Sequence, residues 1–136
     1  MKRPILFFYQ LLTGLSDALT GALLMIAPAL TLRLMGLHTP SDALTYLSFI
    51  GAFVFAVGLC CLYGAYLVFR NACASRLGVV WFLTAILRCS VAAYVITNVL
   101  SGRLENGWLT VSLFDGACVL IQAIGLRKGW LVDAAK

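Results

Sequence analysis

Charge is scarce in this chain: 136 residues carry 5 acidic and 10 basic side chains, while 62% are hydrophobic. So few charged groups cannot cover a soluble globule of this length. Histidine is nearly absent, and the single His38 cannot build a metal or haem site unaided, so it reads as a loop residue. The five cysteines, Cys60, Cys61, Cys73, Cys89 and Cys118, contain no CxxC pair. That argues against a thiol-redox motif and a zinc site and leaves them as small, polarisable fillers between helices. No G-x-S-x-G, P-loop, G-x-G-x-x-G or H-E-x-x-H motif occurs. A self-contained enzyme would therefore have to borrow its chemistry from a bound cofactor, and the sequence marks no cofactor or metal site.

What the chain has instead is apolar length. Its mean hydropathy is +1.00, and residues 5–27, 44–69, 77–100 and 108–126 are each long enough to cross a hydrocarbon core, which needs about 20 residues. Short connections between them predict one all-α domain, an up-down bundle of four transmembrane helices. Lys2-Arg3 before the first run and Ala27-Pro28-Ala29 after it imitate a cleavable signal. The run is longer than a secretory core of about 7 to 15 residues and holds an aspartate, so it is expected to remain as a span.

Basic residues set the orientation. With both termini cytoplasmic, the inner side collects Lys2, Arg3, Arg70, Arg76, Arg127, Lys128 and Lys136, against Arg33 and Arg103 outside. Tyr46 and Trp108 then fall near the outer boundary, Trp81 and Trp130 near the inner one. The net charge of +5 reports topology and contact with anionic lipid rather than nucleic acid. The expected partner is the bilayer, and the expected location a bacterial cytoplasmic membrane.

The pentapeptide SDALT occurs at 16–20 and again at 41–45. The second copy follows Thr39-Pro40, so Thr39 is expected to cap a helix with Pro40 at its first position and Asp42 in a capping box. The first copy drops Asp17 into the middle of an apolar run. Arg88 and Asp115 do the same in the third and fourth spans. Each lies eleven or twelve residues from the cytoplasmic end of its span, about 16–18 Å deep at 1.5 Å per residue, so all three share one level. An unpaired charge there costs about 2.5 to 3.5 kcal/mol even on a lenient insertion scale. Arg88 is therefore expected between the two carboxylates, its planar fork donating to both.

Two stripes extend the pattern. Gln10, Thr13, Gly14, Asp17, Thr20 and Gly21 recur at steps of three and four, as do Ser112, Asp115, Cys118 and Gln122. Gln10 and Gln122 lie seven residues cytoplasmic of the aspartates, with Trp81 at the same offset below Arg88. This second polar layer reads either as the lining of a small cavity opening to the cytoplasm or as hydrogen-bonded glue between helices. In the second span, Ser48, Ala52, Ala56, Cys60 and Gly64 form an every-fourth-residue ladder of small side chains, widened by Gly51 and Gly58. Such a ladder lets another backbone approach, within the chain, in a homodimer or in a larger complex. Pro28 is expected to bend the first helix as it leaves the membrane, and Gly36 to stop its tail.

Four short spans, the exit APALTLRLMGL at 27–37, YLSFIGAFVFAVGL at 46–59 and an arginine in the third span give a layout that resembles the DoxX-like group of small four-helix bacterial membrane proteins. Some members of that group look like subunits of quinone-linked oxidoreductases. The resemblance implies an accessory or assembly subunit of a respiratory-type membrane complex, and the missing catalytic motifs suit a subunit without enzymatic activity of its own. The residues leave a second reading open, a small binding or transport module whose Asp-Arg-Asp cluster takes a polar ligand, a quinone head group or a proton.

Overall fold

The computed structural model describes residues 3–38 and 40–133, and among them the structure is entirely helical and irregular, with no strand. Lys2 and Lys136, counted above on the inner side, and the proposed cap Thr39 lie outside the described residues. The helices are α1 (Arg3–Ile26), α2 (Pro28–Leu34), α3 (Leu44–Phe69), α4 (Ala74–Leu100), α5 (Leu109–Arg127) and α6 (Trp130–Asp133). Single 3-10 turns, Ser41–Ala43 and Asn106–Trp108, lead into α3 and α5.

Breaks fall where backbone chemistry requires them. Ala27, with φ −142°, interrupts the helix and Pro28 opens α2. Gly36 ends that helix with φ +70°, which lets the Leu37 amide donate to the Leu32 carbonyl at 2.9 Å. The second SDALT differs from expectation. Pro40 occupies the cap position itself, no side-chain cap bond forms there, and Asp42 accepts from the Ser41 hydroxyl instead.

Three helical segments, Ser41–Phe69, Ala74–Leu100 and Asn106–Arg127, are long and apolar enough to cross a membrane. With 24 residues α1 has comparable length, but Gln10, Thr13, Ser16, Asp17 and Thr20 interrupt its apolar run. Polarity is turned inside out. Phe8, Phe53 and Leu113 point outward, while Gln10, Thr84, Arg88 and Gln122 are buried. A bilayer is the solvent that suits such a surface.

The closest packing joins α1 to α3. Gly14 and Gly21 of α1 face α3, whose Gly51 and Gly58 face back. A Cβ on Gly51 would sit 2.9 Å from the Gly21 carbonyl oxygen, and one on Gly58 would run into the Ala18 backbone. Seven residues bring a helix back to within about 20° of the same direction, so two glycine pairs at that spacing keep the two backbones in register.

The small-residue ladder is not this packing face. Gly64 is buried, Ser48 half-buried, and Ala52, Ala56 and Cys60 are exposed. Each four-residue step overshoots a full turn by about 40°, so the five positions wrap through about 160° of the helix and cannot share one neighbour. The flanking Gly51 and Gly58, with the Phe55 and Leu62 that meet Gly21 and Gly14, carry the contact instead.

Apolar clusters close both ends of the interior. On the side of the chain termini, Leu6, Val68, Leu77 and Trp81 pack against Leu131 of α6, which folds beneath the helices. Arg3 clamps this floor by donating to the Val68 and Phe69 carbonyls at 3.0 and 2.9 Å. At the opposite end Leu32 of α2, Leu37 and Leu47 pack under Trp108.

Candidate functional site

Between these two apolar clusters the interior is polar, because α1, α4 and α5 turn their interrupted faces towards one another. Arg88 on α4 lies between Asp17 on α1 and Asp115 on α5, as the shared depth predicts. One terminal nitrogen donates to Asp115 Oδ1 at 2.5 Å, and the other donates to the Asp17 carboxylate. The guanidinium also stands over the Phe114 ring, 5.4 Å from its centroid, and 4.0 Å from the Cys61 sulfur. Its side chain is 3% exposed, whereas those of Asp17 and Asp115 keep 11% and 13%. With two carboxylates and one guanidinium, the cluster has a formal charge of −1.

The layer below brings together the three residues that sequence spacing placed there. Gln10 and Trp81 are 0% exposed and Gln122 1%. The Gln122 amide donates to the Thr84 hydroxyl at 2.8 Å, and that hydroxyl donates to the Val80 carbonyl at 2.7 Å. Gln10 lies against Gly64, where any side chain would displace its amide, so this one member of the ladder has a definite role. Tyr9 packs on Trp81 with ring centroids 5.6 Å apart and donates from its hydroxyl to the Cys118 carbonyl at 3.3 Å. Thr84 and Tyr9 complete a layer in which sequence reasoning named only Gln10, Trp81 and Gln122. Thr84 was detectable: it lies three residues after Trp81 and four before Arg88, on the same stripe.

Five buried polar atoms in these two layers have no hydrogen-bond partner: Gln10 Nε2 and Oε1, Trp81 Nε1, Gln122 Oε1 and Arg88 Nε. Leaving one such atom unpaired costs about 1–3 kcal/mol, so five among the described residues mark this network as incomplete in itself. The atoms comprise donors and acceptors, a set that a small molecule bearing both can satisfy.

The opening to the cytoplasm that the cavity reading implies is not seen among the described residues. The floor of Leu6, Val68, Leu77 and Leu131 lies directly beneath the glutamine layer, since Leu6 and Leu77 are each one helical turn below Gln10 and Trp81. Sequence spacing alone could not show this, because the closing Leu131 belongs to a short helix after the last span.

No protein-family model, curated protein or solved structure matches this chain.

Proposed function

We propose that the chain is a four-span protein of a bacterial cytoplasmic membrane, with both termini inside, that acts as a small binding module holding a polar molecule between its charge cluster and its glutamine layer. The observation that carries this reading is the set of five unpartnered buried atoms on Gln10, Trp81, Arg88 and Gln122. Pure interhelical glue would pair its groups with one another, as Gln122 and Thr84 do.

The test is native mass spectrometry of protein extracted from its own membrane in mild detergent, with Gln10→Leu run alongside. A small adduct on the 14.7 kDa chain, absent from the variant, is the expected result. A bare chain in both samples overturns the reading.

A second reading has its own support. Ala52, Ala56 and Cys60 present small side chains outward on α3, where a helix of a second copy or of a larger complex can approach closely. This accessory-subunit reading agrees with the DoxX-like layout and its implied link to quinone-dependent respiration. Companion polypeptides retained in both samples of the same experiment favour it.

Topology has an independent check. Arg3, Arg70, Arg76, Arg127 and Lys128 lie at the floor end of the helices, and Arg33 and Arg103 at the other, which supports the cytoplasmic assignment of the floor. Cys73 sits there in the α3–α4 loop, exposed. Its thiol lies 3.2 Å from the Ser75 hydroxyl, and hydrogen bonds from Ser75 hold its pKa below the ordinary thiol range, which favours the reactive thiolate. A membrane-impermeant maleimide is expected to label Cys73 in inverted membrane vesicles and not in intact cells. Cys60 and Cys89, exposed within spans, remain unlabelled in both. Labelling of Cys73 in intact cells reverses the topology.

A further inference from the structure

Resting on the binding-module reading, the geometry also restricts how the occupant arrives and what it is. The ends of the interior are closed, by Leu6, Leu77 and Leu131 below and by Leu32, Leu37 and Leu47 above. The sides are not equivalent. α1 packs along α3, α3 meets α4, and α4 packs along α5, but α1 and α5 do not pack closely. Side chains span that gap: the Tyr9 hydroxyl reaches the Cys118 carbonyl, and Arg88 reaches from α4 to both aspartates. The aspartates flank the gap, and they are the members of the cluster that retain exposure.

We infer that the polar core is entered sideways from the bilayer, through the seam between α1 and α5, and that its occupant is an uncharged amphiphile. Its oxygen-bearing head reaches the core while its apolar tail stays among the lipid chains. The head chemistry follows from the unpartnered atoms. Gln10 Nε2, Trp81 Nε1 and Arg88 Nε donate, so the head must accept; Gln10 Oε1 and Gln122 Oε1 accept, so it must also donate. A hydroxyl does both, donating once and accepting twice, so one head serves up to three of these five atoms. The formal charge of −1 on the cluster disfavours an anion, and a cationic head cannot serve three donors. The tail follows from the route, because a molecule crossing the seam arrives from hydrocarbon; on α5, Phe114 and Ile121 are exposed, and each lies one position before a residue that faces the core, Asp115 and Gln122.

The test uses the full chain labelled with 5-fluorotryptophan in phosphatidylcholine nanodiscs, with the Trp81 fluorine resonance assigned from Trp81→Phe. 1-Dodecanol, glycerol and dodecyl phosphate are titrated separately. 1-Dodecanol is expected to shift the Trp81 resonance saturably and leave that of Trp108 in place. Thr20→Phe, which narrows the seam from α1, is expected to weaken that response about tenfold. Ile121→Phe does the same from α5 and stands in if the first variant misfolds.

Saturable shifts with glycerol and none with 1-dodecanol overturn the sideways route while the polar core stands as a binding site. Silence towards all three overturns both readings. An equal response to dodecyl phosphate overturns the uncharged head, and an undiminished response in both narrowed variants overturns the seam.

Discussion

Arg88→Leu is expected to cost about 3–5 kcal/mol, because it leaves two buried carboxylates facing each other without a cation. A loss of that size is a large part of the stability of a typical domain. The variant should fail to survive extraction as a monodisperse species in size-exclusion chromatography. Asp17→Asn keeps the Arg88–Asp115 pair and is expected to be milder. The informative comparison is the triple variant Arg88→Leu, Asp17→Leu, Asp115→Leu. Replacing a whole buried ionic group by apolar side chains is often neutral or stabilising, so the triple variant should regain the fold. A refolded triple variant that has lost the bound adduct places the charges in the binding site. One that retains the adduct reduces them to an internal staple.

Gly21→Ala and Gly58→Ala are expected to destabilise by about 1–3 kcal/mol each, although each adds a single methyl group to a helix. At Gly21 that methyl meets the Phe55 backbone and comes within 2.7 Å of the Gly51 carbonyl oxygen; at Gly58 it meets the Ala18 backbone. Backbone cannot rotate away as a side chain can, so α1 and α3 must separate. Gly116→Ala is the control. Nothing lies within 4 Å of its added methyl, and removing a glycine from a helix interior is expected to gain about 0.5–1 kcal/mol. Denaturant titration of the three variants in one detergent checks the sign and the order.

The charge cluster was legible because a charge inside an apolar run has few resting places, and helix rise alone set Asp17, Arg88 and Asp115 at one depth. The layer of Gln10, Trp81 and Gln122 followed from the same arithmetic. The face of α3 did not. That helix is apolar all round, so no polar side marks its outside, and small residues recur at spacings of both four and seven. Only the partner's glycines, Gly14 and Gly21, decide between the two. The closed floor and the loose packing of α1 on α5 were equally hidden, since both depend on contacts between elements far apart in sequence, Leu131 with Leu6 and α1 with α5.

The 71 residues that separate Asp17 from Arg88 also order events during synthesis. At roughly 5–20 residues per second, Arg88 emerges about 4 to 14 s after the aspartate it neutralises. During that interval the nascent chain holds α1 and then α3, whose glycine faces can already join, and one carboxylate with no counter-charge. Until then the first half is a hairpin with a polar flank, which hydrocarbon accommodates only at a cost. The ion pair that relieves this cost forms only when α4 delivers the arginine, so the interior is completed late in synthesis.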